Sequence, residues 1–162
     1  MKYSTLQISQ LTDSKLIGNP DILISNISFD SRNLYSISDT AFIAINTKNN
    51  SGEKYISSVV EKGVKVIISE NYYPEYEDIT WIITKNSIEF LQILAKKHLE
   101  NSHLENTIGI TGSNGKTIVK EWLYQCLWDE FSTVKSPKSF NSQIGLPISL
   151  LQINEEHQLG IF

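Results

Sequence analysis

Six consecutive residues combine two glycines, an ammonium group and two hydroxyl groups: Gly112, Ser113, Asn114, Gly115, Lys116 and Thr117. Glycine allows positive φ angles and lets a ligand approach the backbone closely, because it has no Cβ. A lysine and a hydroxyl after such a turn suit the β- and γ-phosphates of ATP and a Mg²⁺ ion, respectively. The segment therefore predicts a phosphate-binding turn, with Lys116 as the candidate catalytic residue and Thr117 as the Mg²⁺ ligand.

The residues on either side of this turn indicate the elements that position it. Residues 107–110 have the pattern of a strand, and apolar residues recur at helical spacing from Lys116 to about Trp128. A strand, a glycine turn and a helix direct backbone N–H groups and the positive end of the helix dipole towards one point. An anion is expected to bind at that point.

The spacing of the two glycines differs from that of the usual phosphate loop. Only Ser113 and Asn114 separate them, whereas the usual loop places four residues between its glycines. The alternative interpretation is an ordinary glycine-rich turn followed by a surface lysine. A chance match is expected in roughly one chain in a hundred of this length, so we favour the phosphate-binding interpretation.

About a hundred residues with their own strand and helix pattern precede this turn. Ser4 is predicted to cap a first helix, and Ser87 is predicted to cap a later one. Residues 40–45 and 64–69 predict strands on either side of a helix that ends at Gly63. This is a β-α-β pattern, which is typical of a parallel sheet.

The predicted elements define an α/β fold with two domains. We place the boundary near Lys85, so that residues 1–85 form a small mixed α/β domain. Residues 86–162 then form the first part of a parallel-sheet domain that carries the phosphate loop. Within it, "STVKS" and "LGIF" predict strands and "LPISLLQI" predicts a helix.

Composition excludes some classes of partner. The chain of 162 residues has a net charge of −4, and its 14 basic residues are scattered, so nucleic acid is not an expected partner. The amino terminus lacks the apolar core of a signal peptide, and no apolar run approaches the ~18–20 residues that cross a bilayer. We therefore expect a soluble intracellular protein without membrane insertion. Cys126 is the only cysteine and is predicted to be a buried thiol.

The remaining residues that could do chemistry have simpler interpretations. His98, His103 and His157 are isolated in the sequence, so each is predicted to lie at the surface or beside a helix rather than to act as a base or metal ligand. Trp122 and Trp128 follow the glycine turn and are predicted to pack in the protein rather than to form a stacking platform.

The segment "GITGSNGKT" resembles the short phosphate loop of the Mur ligase superfamily, the ATP-dependent enzymes that form the amide bonds of the peptidoglycan stem peptide. The folylpolyglutamate synthases share this loop, but in them it lies near the amino terminus. Here a region with its own strands precedes it, and this favours a Mur ligase.

The leading region resembles the uridine-nucleotide-binding domain of that family. The match rests on Asp30, Ser31 and Arg32 and on the strand segment 42–44. A hydroxyl and a guanidinium suit a diphosphate, because arginine offers several donors in a fixed fork. The alternative interpretation is an ordinary turn with a surface arginine. The next loop departs from the family, which usually has an acidic residue, glycine and histidine where this chain has Ser-Gly-Glu at 51–53.

A third segment, "KSFNSQIGLPISLL", resembles "N-N-E-I-G-V-P" in the members that add D-alanyl-D-alanine. Asn141, Gly145 and Pro147 are retained, whereas Ser142 and Gln143 replace the second asparagine and the glutamate. The resemblance makes Asn141 a candidate substrate-binding residue. A Gly-x-Pro sequence is also ordinary chemistry for the start of a helix. The sequence of the segment is most similar to that of the form of this ligase that is fused to an alanine racemase.

The resemblance implies a complete reaction. The whole enzyme would phosphorylate the terminal carboxylate of a UDP-N-acetylmuramoyl-tripeptide with ATP and Mg²⁺ in the cytoplasm, and the amine of D-alanyl-D-alanine would then attack the acyl phosphate. We expect this chain to be an amino-terminal portion that is inactive without the remainder of the ligase. The alternatives are another Mur ligase, a folylpolyglutamate-type ligase, or a non-catalytic UDP-sugar-binding module.

Overall fold

The computed structural model describes residues 1–34, 36–137, 140 and 142–162. Contacts along the chain divide it into two units, Met1–Leu94 and Ala95–Phe162. Each unit has its own sheet. The domain assignment made from the sequence, with its boundary near Lys85, stays a prediction.

The first unit is built on a five-stranded mixed sheet with the strand order β2-β9-β8-β5-β4. Strands β4, β5, β8 and β9 are parallel to one another, and β2 pairs with β9 in the antiparallel direction. The strands of this unit are β1 Tyr3–Ser4, β2 Lys15–Ile17, β3 Leu23–Ile24, β4 Asn26–Ser28, β5 Thr40–Ile43, β6 Asn46–Thr47, β7 Asn50–Ser51, β8 Val66–Ser69 and β9 Thr80–Ile83.

Three α-helices begin in this unit: α1 Thr5–Leu11, α2 Ile56–Glu61 and α3 Ser87–Glu100. The predicted cap at Ser4 is confirmed, because its hydroxyl accepts the Gln7 backbone N–H at 3.2 Å and the Gln7 side chain accepts the Ser4 N–H at 2.8 Å. The predicted cap at Ser87 is wrong. Asn86 Oδ1 accepts the backbone N–H groups of Ile88 and Glu89, each at 3.0 Å, whereas the Ser87 hydroxyl and backbone N–H both donate to Glu70.

The core of the first unit fills the space between the sheet and α2. Its parallel strands are apolar on both faces, as expected for a sheet that is covered on both sides. Tyrosine rings from the segment between β8 and β9 lie about 6 Å from the Trp81 ring, which is 1% exposed. The buried members of this core are Phe42, Ala44, Ile56, Val59, Val64, Ile67, Ile79 and Trp81.

The second unit contains a three-stranded sheet in which every pair is parallel. Its strand order is β10-β12-β11, so the last strand in the sequence lies between the two earlier ones. The elements are β10 Asn106–Ile108, α4 Lys116–Leu127, β11 Thr133–Lys135, α5 Gly145–Leu150 and β12 Leu159–Ile161. The predicted α/β class and the parallel sheet beside the glycine turn are confirmed.

Several side chains of the second unit have a burial that differs from the prediction. Trp122 is 64% exposed and Trp128 is 57% exposed, so neither packs in this chain. Cys126 is exposed rather than buried. His98 lies in the last turn of α3, is 7% exposed, and its Nε2 lies 2.8 Å from the Ile153 carbonyl oxygen, so of the two positions predicted for it, at the surface or beside a helix, the surface is wrong.

No helix within the described ranges 1–34, 36–137 and 142–162 is long and apolar enough to cross a bilayer.

We expect the stability of the second unit to depend on pH through His98. Burial lowers the pKa of His98 below its ordinary value of 6.5, so its contribution is present in full above that pH and is lost as pH falls through the lowered folded-state pKa. Urea unfolding between about pH 8 and pH 5 measures this loss. Burial lowers the pKa of His157 as well, so part of the dependence comes from a second group.

The variant His98→Gln should reduce the slope of the free energy of unfolding against pH. His103→Gln is the matched control, because His103 is exposed in the same unit and its replacement should leave the slope unchanged. A slope for His98→Gln as steep as that of the unaltered chain would contradict the assignment.

Candidate functional site

The turn between β10 and α4 has the backbone conformation that its glycines allow. Gly112 has a φ angle of +149°, and Gly115, the residue before the helix, has a φ angle of +78°. The left-handed conformation at Gly115 is costly for residues with a Cβ, and it turns the chain directly into α4. The first turn of this helix has backbone N–H groups without helical partners, and they point back towards the glycine turn.

Lys116 and Thr117 lie in this first turn of α4, as predicted. The ammonium group of Lys116 donates to the Gly112 carbonyl oxygen, so the side chain folds back across the turn. Thr117 is exposed, as is each residue from Thr111 to Gly115. The structure thus brings the six predicted residues together at the amino end of one helix, where backbone donors, the helix dipole and a cation favour an anion.

An open cavity of about 520 Å³ lies beside the turn. Polar groups of the turn and of α4 form part of its lining, and apolar side chains form much of the rest. It is lined by Leu99, Thr107, Gly109, Ile110, Thr111, Lys116, Thr117, Lys120, Ser136, Phe140, Leu146, Leu150 and Phe162. A cavity of this size is in the range that binds small ligands.

The polar residues of this lining that sequence reasoning missed include Lys120 and Ser136. Lys120 is 4% exposed, and its Nζ donates to the Ser136 carbonyl oxygen at 2.5 Å. The available signal was the spacing, because a residue four positions after Lys116 lies on the same face of a helix. Its carbonyl partner could not be identified in this way, because the two residues are brought together by tertiary packing.

The predicted substrate-binding residues Asp30, Ser31 and Arg32 form a tight turn after β4 in the first unit. The Arg32 guanidinium makes a two-point ion pair with Asp30, with Nε–Oδ1 at 2.9 Å and Nη2–Oδ2 at 3.0 Å. Asp30 Oδ1 also accepts the Arg32 backbone N–H at 3.0 Å. The arginine side chain is 87% exposed, whereas Ser31 is buried. The turn therefore presents the guanidinium to solvent.

A second cation reaches the same turn from the end of α2. Lys62 Nζ donates to the Ser31 carbonyl oxygen at 2.6 Å. The Arg32 guanidinium, through its hydrogen bonds, holds the pKa of Asp30 below its usual range. Sequence reasoning missed Lys62, which lies 31 positions from Ser31. Asn141, the fourth predicted substrate-binding residue, lies outside the described residues.

The loop that departs from the family pattern has its own hydrogen bonds. Glu53 accepts the Tyr73 hydroxyl proton at 2.8 Å and the Asn71 side-chain amide at 2.9 Å. Burial, together with the Glu53 carboxylate, raises the pKa of Tyr73 to about 12. This glutamate is therefore held by two neighbours from the segment after β8.

No group of three or more histidine, cysteine, aspartate or glutamate side chains that could hold a metal occurs in the part of the chain that the structure describes. The hydroxyl of Thr117, in the first turn of α4, is one side-chain oxygen available at the turn. A Mg²⁺ ion that binds with phosphates needs few protein ligands, because phosphate oxygens and water complete its coordination. The residues present fit such a shared ion rather than a site formed by protein alone.

The fold and the glycine turn define a P-loop α/β protein. Residues 110–162 match the family model of the Mur ligase middle domain. A crystal structure of MurF from Acinetobacter baumannii is similar over 100% of this chain and 35% of that one, with a TM-score of 0.90 and 26% identity. The chain belongs to the Mur ligase family.

Two curated relatives are similar to this chain at different identities and coverages. A UDP-N-acetylmuramoyl-tripeptide--D-alanyl-D-alanine ligase of Borreliella burgdorferi is 31% identical over an alignment that covers 93% of this chain and 35% of that protein. A UDP-N-acetylmuramoyl-L-alanyl-D-glutamate--2,6-diaminopimelate ligase of Clostridium tetani is 39% identical over 68% of this chain and 23% of its own length.

The MurF ligase of Thermotoga maritima, solved in complex with ADP, is 27% identical with a TM-score of 0.69 over 84% of this chain and 31% of that one. The chain spans about a third of the length of the curated MurF-type relatives, with shares of 35%, 35% and 31% for the first three. The predicted resemblance to the Mur ligases is thereby confirmed.

We expect Gly115→Ala to destabilise the second unit by roughly 1–2 kcal/mol, because alanine is strained in the left-handed conformation. Space is not the cause, since a Cβ at this position meets nothing within 4 Å. Gly109→Ala is a matched control: its Cβ also meets nothing within 4 Å, and the residue lacks a left-handed φ angle. Urea unfolding that shows equal free energies for the two variants would contradict this account.

Proposed function

We propose that this chain is part of an ATP-dependent ligase that adds D-alanyl-D-alanine to UDP-N-acetylmuramoyl-tripeptide through an acyl phosphate. The observation that carries the proposal is the phosphate-binding geometry at the start of α4, where a left-handed Gly115 precedes Lys116 and Thr117. The name of the Borreliella burgdorferi relative, which aligns with 93% of this chain, supports the choice of substrates.

In this proposal the glycine turn and the first turn of α4 bind the phosphates of ATP. Their backbone N–H groups and the Lys116 ammonium offset the negative charge that develops as a carboxylate oxygen of the tripeptide attacks the γ-phosphorus and the bond to ADP breaks. The amine of the incoming dipeptide then attacks the acyl carbon, loses a proton and displaces inorganic phosphate. Positioning and electrostatics account for most of the catalysis by this chain.

Lys116 can contact a bound nucleotide while it keeps its present partner. Its ammonium group now donates to the Gly112 carbonyl oxygen, and an ammonium has three donors, so contact with a phosphate does not require this bond to break. Thr117 would supply a hydroxyl oxygen to a Mg²⁺ ion that also contacts the phosphates, and the ion would neutralise part of their charge.

The first unit would bind the uridine diphosphate end of the sugar nucleotide. Arg32 is the candidate contact, because its guanidinium is 87% exposed and is held in one orientation by Asp30. Lys62 adds a second cation at the same turn, through its bond to the Ser31 carbonyl oxygen. Residues 1–85 would therefore form the UDP-sugar-binding domain, and residues 86–162 would form the first part of the ATP-binding domain.

A second candidate is the Mur ligase that adds diaminopimelate, and one observation favours it. The Clostridium tetani relative with that name has the higher identity, 39%, although over only 68% of this chain. The two reactions start from different acceptors, the dipeptide and the tripeptide forms of the UDP-sugar. Turnover of the complete ligase with each acceptor, and with the matching amine, distinguishes them.

We expect Lys116→Ala to weaken ADP binding to this chain by at least about tenfold, because a charge-assisted contact to phosphate is worth roughly 1.5–3 kcal/mol. Calorimetry with ADP and Mg²⁺ measures this affinity. Lys96→Ala is the matched control, because Lys96 is an exposed lysine on a helix of the same unit. Equal ADP affinity for Lys116→Ala and the control would refute the role of Lys116.

We expect Arg32→Ala to weaken the binding of UDP-N-acetylmuramoyl-tripeptide by roughly tenfold or more, because it removes a forked donor from the diphosphate. ADP affinity should remain unchanged in this variant. Lys65→Ala removes an exposed cation from the same unit and serves as the control. Undiminished binding of the UDP-sugar to Arg32→Ala would show that the turn at Asp30 is structural only.

A further inference from the structure

Helix α4 is attached to the end of β11 by two adjacent residues. Lys120 Nζ donates to the Ser136 carbonyl oxygen at 2.5 Å. Glu121 forms an ion pair with Lys135, the last residue of β11, and its other carboxylate oxygen lies 3.4 Å from Lys120 Nζ. We call these four residues, Lys120, Glu121, Lys135 and Ser136, the α4–β11 clamp.

The clamp has further support around its charged groups. Lys135 Nζ lies 3.8 Å from the centre of the Tyr124 ring, a cation–π contact. The hydrogen bond from Lys135, with a further one from Lys120, holds the pKa of Glu121 below its usual range. The glutamate therefore remains ionised between the two lysines at neutral pH.

Packing does not account for a lysine at position 120. The side chain is 5% exposed, and burial of an ammonium group is costly even when hydrogen bonds and an ion pair offset part of the cost. An apolar side chain of similar length would fill this space at a lower cost. Its contacts join α4 to the end of β11, and a gain in stability does not explain why lysine occupies this position.

Two residues of the clamp, Lys120 and Ser136, line the cavity beside the phosphate turn. Lys120 lies four residues after Lys116 and three after Thr117, so all three lie on one face of α4, and all three line the cavity. Ser136 lines it as well, and the chain beyond β11 contributes Phe140 and Leu146 to the same lining. The clamp thus joins two parts of the cavity wall. One is α4, which carries the candidate phosphate-binding residues, and the other begins at Ser136.

We propose that Lys120 is a positioning residue, which fixes the cavity wall that begins at Ser136 relative to the phosphate turn. The inference rests on the proposed function, since it concerns a nucleotide bound at that turn. With the clamp intact, the wall is already in place before the nucleotide binds, so binding does not have to order it. Loss of the clamp should weaken nucleotide binding without loss of any residue that contacts the phosphates.

The test measures two quantities in the 162-residue chain: its affinity for ADP with Mg²⁺, by calorimetry, and hydrogen exchange of the peptides within residues 130–137. Lys120→Met removes the ammonium group and keeps the apolar stem, whereas Lys120→Arg keeps a cationic donor. Lys96→Met is the matched control at an exposed helical site of the same unit. Lys135→Met opens the other half of the clamp and replaces Lys120→Met if that variant does not fold.

We expect Lys120→Met to weaken ADP affinity about tenfold, the lower end of the effect of residues that orient a binding group. It should also speed exchange in residues 130–137. Lys120→Arg should recover most of both losses, Lys135→Met should cause smaller ones, and Lys96→Met should cause neither. Recovery by arginine separates a positioning role from general loss of packing.

Two outcomes contradict the inference, and they are distinguishable. If the unaltered chain binds ADP and Lys116→Ala does not, but folded Lys120→Met or Lys135→Met binds ADP as the unaltered chain does, the inference is overturned and the proposed function stands. If the unaltered chain does not bind ADP, the proposed function fails for these residues, and the inference fails with it.

Discussion

The left-handed conformation of Gly115 is the constraint on which the candidate site depends. It lets the chain leave β10, turn within a few residues and enter α4 with the helix axis directed at the turn. This conformation is unfavourable for a residue with a Cβ. A longer turn would move the amino end of the helix away from the strand. The short spacing between the glycines and the position of Lys116 thus follow from one backbone requirement.

Much of the fold follows from local pattern, and for this reason it could be predicted from the sequence. The parallel strands β5 and β8 are continuous apolar runs, and the glycine after α2 has the positive φ angle of a helix end. The same holds for the phosphate turn, whose residues are adjacent in sequence. Contacts between distant residues could not be predicted: Lys62 with Ser31, and Lys120 with Ser136, depend on how the elements pack.

Helix α4 shows why the burial of a side chain cannot be predicted from its polarity alone. Its tryptophan, Trp122, was predicted to pack and is exposed, whereas Lys120 is buried. A lysine can be buried where a carbonyl oxygen and a carboxylate accept its hydrogen bonds, and here these acceptors come from the residue after β11 and from the next residue of the helix. His98 is a parallel case, because the Ile153 carbonyl oxygen satisfies its ring nitrogen in the interior. In both cases the deciding group is a backbone carbonyl, which leaves no trace in the sequence.

An acidic chain can bind phosphates because the relevant quantity is local potential rather than net charge. The chain carries −4 in total, yet one face of α4 presents Lys116 and Lys120 beside the positive end of the helix dipole. Glu121 neutralises one of the two lysines that it contacts, so these three residues together retain one positive charge. No aspartate or glutamate belongs to the described lining of the cavity, so nothing in that lining opposes this charge.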